Sequence, residues 1–544
     1  MAGFVDLGCA RRHVLAREAV HRRSERFLFG RELELHEDKD TGFGLWALSL
    51  GLGLGGRSGS VQSHAQDADD QGVLVFPPAD GVSRPVPTGT LRLARVLTAL
   101  SWALDLTEGH PQGHSARSCI IGMRLAQVIG LPEAQQSDLF YALLLKDAGC
   151  SSNAPRVHQL FGGDDHPTKR AVWLRDWRRL PEQIGYALSY VDPGAPLTSR
   201  LRRFARLAAL GPRGGKELFQ IRCDRGAAIA YELGFPERTA EAIRSMDEHW
   251  DGGGYPTGLK GARIPLESRI IGLAQVLEIF TGEFGIDRAL EVARQRRRRW
   301  FDPELVDAVL PLGRDRHFWR MLFEGDPLEA VAAAEPTSAR VSADEGRLDG
   351  IARAFAQVID AKSPFTYEHS ARVAAIARAM ADRLGWSAAE QRQLWRAALM
   401  HDIGKLAVSN AILDKPGRLT AEEFARVREH PRYTFEILQR TPGFDALALD
   451  ASLHHERLDG RGYYRGWAAD RLTPRARILA VADVTDALSA DRPYRAALDS
   501  ATVASMLRAD AGTALCAEAV DAALQLDEHE RRGMPGPVAL KRTA

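Results

Sequence analysis

The sequence predicts an all-α protein: two tandem helical domains behind a weakly structured N-terminal segment. Three observations lead there. Apolar residues recur at helical spacing through most of the chain, and strand-like alternation is scarce. Words in one half return in the other at equal separations, the mark of an internal repeat. A chain of 544 residues is also too long for a single core.

Taken in order, residues 1–89 predict little packing. Gly51 to Gly59 is glycine-rich, Ser60 to Gln71 is polar and acidic, and Pro77 to Gly89 holds several prolines. From Thr90 the pattern turns helical at Leu91, Leu93, Val96, Leu97, Leu100 and Leu104, with further stripes at Ile120 to Ile129 and Ser137 to Leu145. Ser137 is an expected N-cap. Residues 150–220 read as an excursion rich in Gly, Pro and aromatics, and helical patterning resumes from Gly226 to about Phe323. The expected boundaries are a first domain over 90–325, a linker over 326–345 with Pro327, an Ala run and Pro336, a second domain over 346–526, and a fraying tail over 527–544.

Composition excludes several classes. Apolar residues make up 45% and charged residues 26%, and the net charge of +1 gives no general pull toward nucleic acid or an anionic membrane. The five cysteines are scattered without a CxxC, which argues against a disulfide framework and a thiolate metal site. Phe43 to Gly56 is too short and glycine-rich to span a bilayer. No helix-turn-helix motif is evident in the short tail, so no DNA binding is expected. A cytoplasmic location follows as the plain expectation. The basic run Arg294 to Arg299 reads as a solvated face, and Gly252-Gly253-Gly254 lacks the Lys-Ser/Thr of a P-loop.

The repeat separates chemistry from scaffold. Gly113-His114-Ser115-Ala116-Arg117 answers Glu368-His369-Ser370-Ala371-Arg372, and the steps His114 to Lys146 and His369 to His401 both cover 32 residues. Asp251 to Gln275 and Asp459 to Asp483 both cover 24. Lys146 stands where the second half has His401, Cys150 where it has Lys405, Arg222 for His430, Met246 and Asp247 for His454 and His455, and Gln275 for Asp483. An ammonium at a ligand position repels a divalent cation. The first half is therefore expected to be a scaffold or regulatory copy without a metal pair.

In the second half, His401-Asp402 closes an apolar helix, and His430, His454-His455-Glu456, Asp459 and Asp483 follow as candidates to converge with it. Adjacent helical residues point about 100° apart, so His401 and Asp402 can serve neighbouring sites. A carboxylate has two oxygens and can bridge two cations, which makes Asp402 the natural bridge. His369 lies on a stripe with Val373, Ile376 and Met380 and faces the core. Imidazole mixed with carboxylate suits Fe, Mn, Zn or similar ions rather than a closed thiolate site. Two such divalent metals can clamp the attacking and leaving oxygens of a phosphoester displacement. Lys405 lies one turn on and is a catalytic and phosphate-binding candidate. Arg492 and Arg495 are further phosphate candidates because a guanidinium can bind two oxygens.

The words HDIGK, EHP, HHERLDGRGY and ADVTDALSADRPYR together resemble the HD-GYP subgroup of the HD-domain phosphohydrolases. The resemblance covers the second half almost entirely and the first in degenerate form. It implies an all-α fold and a metal-dependent phosphodiesterase in bacterial signal transduction that hydrolyses a cyclic dinucleotide, cyclic di-GMP foremost. It implies His369, His401, Asp402, His430, His454, His455 and Asp483 as metal ligands, and Lys405, Arg492 and Arg495 as phosphate contacts. Two positions depart from the pattern. The motif Gly-Tyr-Pro reads Gly462-Tyr463-Tyr464, which opens the substrate question. Phe365 stands where some members carry a third-metal Glu, so two metals are expected. The alternatives are another nucleotide substrate, or a non-enzymatic module that senses a nucleotide or a signalling-protein partner. The two halves are expected to pack as a pseudo-dimer.

Overall fold

The computed structural model describes residues 91–176, 179–366, 368–490, 496–531 and 533. The segment 1–89, Arg492, Arg495 and most of the tail lie outside the described residues. The described residues are helical, with isolated β-bridges and no strand. No helix among them is long and apolar enough to cross a membrane.

The first half opens with α1 (Leu93–Thr107), α2 (His114–Val128) and α3 (Glu133–Leu145). It continues through α4 (Ala154–Phe161), α5 (Asp165–Trp173), α6 (Leu180–Tyr190), α7 (Leu197–Leu210), α8 (Pro212–Glu232) and α9 (Glu237–Arg244). Then come α10 (Leu266–Phe284), α11 (Ile286–Arg296), α12 (Pro303–Val309), α13 (Arg316–Glu324) and α14 (Pro327–Ala334). The second half repeats the opening as α15 (Glu345–Asp360), α16 (His369–Arg383) and α17 (Ala388–Met400). It goes on through α18 (Asn410–Leu413), α19 (Ala421–Val427), α20 (His430–Gln439), α21 (Ala448–Ser452) and α22 (Pro474–Ser489).

The starts and stops of these helices follow local chemistry. Ser387 and Glu390 form a capping box at α17, and Thr420 and Glu423 form another at α19. α2 and α16 are started from a distance. Asp105, at the end of α1, accepts from Ser115 N at 3.0 Å and Ser115 Oγ at 2.6 Å. Asp360, at the end of α15, accepts from Ser370 N at 3.2 Å and Ser370 Oγ at 2.6 Å. This one device in both halves fixes where His114 and His369 begin their helices. Burial raises both carboxyls to about 6. The last turns of α3 (Leu143 to Leu145) and α17 (Ala397 to Met400) are almost fully buried and carry Lys146 and His401 into the centre of their halves.

Three sequence expectations shift. Ser137 does not cap: α3 begins at Glu133 after Pro132, and the Ser137 hydroxyl donates back to Glu133 O at 3.2 Å. The excursion over 150–220 is largely helical. Asp164 caps α5, glycines at Gly162 and Gly211 separate short helices, and α8 already starts at Pro212. The stretch expected as a linker carries α14 with Val331 buried, and Glu335 pairs with Arg92 at 3.2 Å. In the tail, Glu530 pairs with Arg383 at 3.0 Å.

The halves pack on each other. α1 lies against the turn Ile403–Ala407 and α20 of the second half, and Arg225 of α8 donates to Gln357 of α15 at 2.7 Å. The fully buried Asp165 of α5 reaches across to Lys362 Nζ at 3.0 Å, Ser409 Oγ at 3.1 Å and Asn410 N at 2.7 Å.

Candidate metal centre

Four helices of the second half and the segment after α21 meet at one point. α16 brings His369 at its first residue, and α17 delivers His401 and Asp402 at its end. α20 starts with His430, and the residues after α21 bring His454 and His455. α22 brings Asp483. Gly404 makes the close approach of α20 possible. A Cβ there would land on the His430 carbonyl, just as one at Gly149 of the first half would land on the Arg222 carbonyl. Thr434 of α20 ties the two segments: its hydroxyl donates to His401 O at 2.8 Å and accepts from Gly404 N at 3.1 Å.

Asp402 divides the cluster into two sets. Its Oδ1 lies 3.3 Å from His430 Nε2 and 3.7 Å from His454 Nε2. Its Oδ2 lies 3.4 Å from His401 Nε2 and 3.6 Å from His369 Nε2. Asp483 closes the second set, with Oδ1 at 3.3 Å from His369 Nε2 and 4.0 Å from His401 Nε2. Its Oδ2 is 3.9 Å from His455 Nδ1, and the rings of His430, His454 and His455 form the other group.

Hydrogen bonds on the far side of the rings fix which nitrogens face inward. His401, His430 and His454 each place Nδ1 on a carbonyl three residues back, at 2.6 to 2.7 Å from Ala398 O, Val427 O and Ala451 O. A carbonyl only accepts, so each Nδ1 carries the hydrogen and each neutral Nε2 keeps a bare lone pair. His430 Nε2 and His454 Nε2 nevertheless stand 3.1 Å apart. Two lone pairs at that distance repel unless a cation lies between them. His401 Nε2, Asp402 Oδ1 and His455 Nδ1 are buried without a hydrogen-bond partner. These residues fit divalent cations better than they fit one another.

The electrostatics of His454, His455 and Asp402 agree, while His369 runs the other way. Burial pushes His454 well below its usual value and His455 down to about 3, keeping both neutral as ligands must be. Burial opposes charge on Asp402, yet Lys405 and His401 beside it hold that carboxyl well below the usual range. Burial likewise opposes charge on His369, but Asp483 and Asp486 outweigh it and raise the imidazole to about 9. Lys405 pairs with Asp402, on the rim of the cluster.

Two residues grouped with this set do not join it. Glu456 turns to the following loop, accepting from Arg465 N at 2.7 Å and Trp467 N at 3.0 Å, and Asp459 pairs with Arg457 at 2.8 Å. One residue that touches the cluster lies outside the sequence-derived set. Asp486 accepts from His369 Nδ1 at 2.7 Å and pairs with Arg372, so it orients the ring. Its counterpart Glu278 does the same for His114 and Arg117, three residues after Gln275 as Asp486 is after Asp483. The repeat thus carried the signal. Tyr463 stacks on His455 at 4.7 Å, and the Tyr463–Tyr464 peptide is cis, as Tyr255–Pro256 is.

The first half keeps the frame without the ligands. Lys146 Nζ lies 2.9 Å from His114 Nε2 and pairs with Asp147. Arg222 holds Asp247 through two bonds of 3.0 and 3.1 Å. Glu108, Asp147 and Cys150 approach one another, but Lys146 neutralises Asp147 and Lys169 lies 3.1 Å from Glu108.

The HD domain family model matches residues 216–305 and 353–516. The chain is 42% identical over 453 residues to the 3'3'-cGAMP-specific phosphodiesterase 3 of Vibrio cholerae, covering 83% of this chain and 98% of that protein. It is 45% identical over 132 residues to a cyclic di-GMP phosphodiesterase of Pseudomonas aeruginosa, covering 24% of this chain and 32% of that one. A crystal structure of a cyclic GMP-AMP specific phosphodiesterase of V. cholerae superposes with a TM-score of 0.57 at 39% identity, covering 81% of this chain and all of that one. With the inward-facing histidines and the Asp402 carboxylate among them already in place, these likenesses show that the chain belongs to the HD-GYP type of HD-domain proteins, the metal-dependent phosphodiesterases.

Proposed function

We propose that the second half hydrolyses a phosphodiester bond of a cyclic dinucleotide, with 3'3'-cGAMP as its first substrate. The observation that carries the substrate is the extent of the likeness: the match to the 3'3'-cGAMP-specific enzyme spans both halves and 98% of that protein. The match to the P. aeruginosa cyclic di-GMP enzyme covers 24% of this chain. Cyclic di-GMP, the sequence expectation, is the second reading, supported by the 45% identity within that stretch.

In this reading the cluster would hold two divalent cations. His369, His401 and Asp483 would serve one, and His430, His454 and His455 the other. Asp402 would belong to both sets. Such a pair supplies a nucleophilic water at neutral pH and stabilises charge at phosphorus. The chain's own residues do the rest. Asp486 and the three backbone carbonyls hold the imidazoles in one tautomer. Lys405, on the rim, contacts the phosphate, and its pairing with Asp402 keeps the ammonium aimed at the centre. Arg492 and Arg495 are proposed as further phosphate contacts. Tyr463 forms a wall beside His455.

The test is hydrolysis of 3'3'-cGAMP and cyclic di-GMP with Mn²⁺ or Fe²⁺, measured as linear product, for wild type and Asp402→Asn. Metal-dependent turnover with the higher kcat/KM on 3'3'-cGAMP, lost in the variant, is expected. A higher kcat/KM on cyclic di-GMP would transfer the assignment to the second reading. Turnover of neither would overturn both.

A further inference from the structure

The two halves differ most between Gly149 and Arg222, which stand 73 residues apart where their counterparts Gly404 and His430 stand 26 apart. The longer stretch includes α6 and α7, and α7 runs for 14 residues without burying one of them. Leu188, Leu197 and Leu201 are 58, 69 and 60% exposed, and Ile184 is 42% exposed. Ile184 and Leu188 lie one turn apart on α6, as Leu197 and Leu201 do on α7, and Arg200 joins the two helices by donating to Leu188 O at 2.6 Å. At 100° per residue, Leu197, Leu201, Ala205 and Ala208 share one stripe of α7, and Arg202 and Arg206 form the next. All six are exposed, whereas Phe204 and Leu207 on the other side are half-buried.

Charge says what this face meets. Residues 174–216 carry nine arginines and lysines against three acids, a net +6 in a chain whose total is +1. The three acids are already engaged. Asp176 pairs with Arg179 and Arg299 at 3.2 and 2.7 Å, Asp192 pairs with Arg203 at 3.3 Å, and Glu182 accepts from Asp176 N at 2.6 Å. Arg202 and Arg206 have no acid paired with them among the described residues. A stripe of leucine and alanine offers no directional hydrogen-bonding group to select a folded protein, and a fluid bilayer needs none. Leucines can enter the acyl boundary while the guanidiniums beside them meet lipid phosphates.

We propose that α6 and α7 form a docking surface for an anionic lipid bilayer, with Ile184, Leu188, Leu197 and Leu201 entering the headgroup boundary and Arg202 and Arg206 on lipid phosphates. The surface belongs to the half without the metal cluster, and the helices lie along the membrane rather than across it.

Flotation of the full chain with vesicles of phosphatidylcholine and phosphatidylglycerol in a two-to-one ratio, against pure phosphatidylcholine, tests it. At least tenfold stronger partitioning onto the anionic vesicles is expected, weakening as salt is raised. Leu197→Ser with Leu201→Ser, and Arg202→Glu with Arg206→Glu, should each lower it at least tenfold. These side chains are exposed, so both variants should keep the wild-type melting curve in circular dichroism. Arg353→Glu with Arg378→Glu makes the same change of charge at exposed positions of the second half and should leave partitioning within about twofold. Equal binding to both vesicles, binding to neither, partitioning kept in both α7 variants, or an equal loss in the second-half variant would each overturn the proposal. A dimer in sedimentation that Leu197→Ser with Leu201→Ser dissolves, without vesicle binding, would overturn it in favour of a second copy of the chain.

Discussion

Lys146 Nζ stands 2.9 Å from His114 Nε2, in the place where the second half has His401. An ammonium thus fills the space between the surviving histidine and Asp147. The metal content of the full chain should be two ions and not four, read by elemental analysis after loading with Mn²⁺ or Fe²⁺. Lys146→His should not raise it, because Arg222, Met246 and Gln275 supply no further ligands. A gain of a third ion in that variant would contradict the reading of the first half as ligand-poor.

The same pair sets a pH response. Burial alone would raise Asp147, but Lys146 and His114 hold it down at about 2. A depressed carboxylate contributes stability above its unfolded value of 3.8, lost only as pH falls through about 2. Between pH 7 and 5, Asp147 should therefore add no pH dependence in the wild type. Lys146→Met strands a buried carboxylate and should cost about 3–5 kcal/mol at pH 7. Its pKa then rises under burial, so the variant regains stability as pH falls from 7 to 5. Urea unfolding at the two pH values checks the sign.

Asp486 does for His369 what a backbone carbonyl does for His401, His430 and His454: it takes the Nδ1 hydrogen. Asp486→Asn should weaken metal binding by about 10–100-fold, the usual cost of losing such a partner. Titrating metal against activity should show a higher half-saturating concentration, with much of the rate restored in excess metal. His454→Ala removes a ligand itself, so excess metal should restore little.

Much of this centre was legible in the sequence, because a ligand cluster has to bring chemically distinctive residues to fixed places on a repeated scaffold. His401, Asp402, His430, His454, His455, His369 and Asp483 all converge as their pattern foretold. Glu456 misled because an acid beside two histidines reads as a ligand, whereas its partners are backbone N–H groups about ten residues on. Residues 150–220 misled because glycines and prolines between short helices mask the helical period. The contact between Asp165 and Lys362 joins residues 197 apart, and no local pattern announces such a pair.

That contact is the last to test. Asp165 and Lys362 are both nearly inaccessible, and the same carboxylate caps Asn410 N at the start of α18, just after the turn that holds Lys405. Burial opposes its charge, yet Lys362 foremost holds Asp165 far below the usual carboxylate range. Removing one partner leaves the other charge buried alone. Asp165→Asn or Lys362→Met should each lower unfolding stability by roughly 3–5 kcal/mol. The paired change Asp165→Leu with Lys362→Met should cost clearly less than the sum, since neither charge is then stranded. Because Asp165 binds both halves, the single variants should also separate one unfolding transition into two in calorimetry. Single variants within about 0.5 kcal/mol of wild type, the range of ordinary surface changes, would show that the halves are held together elsewhere.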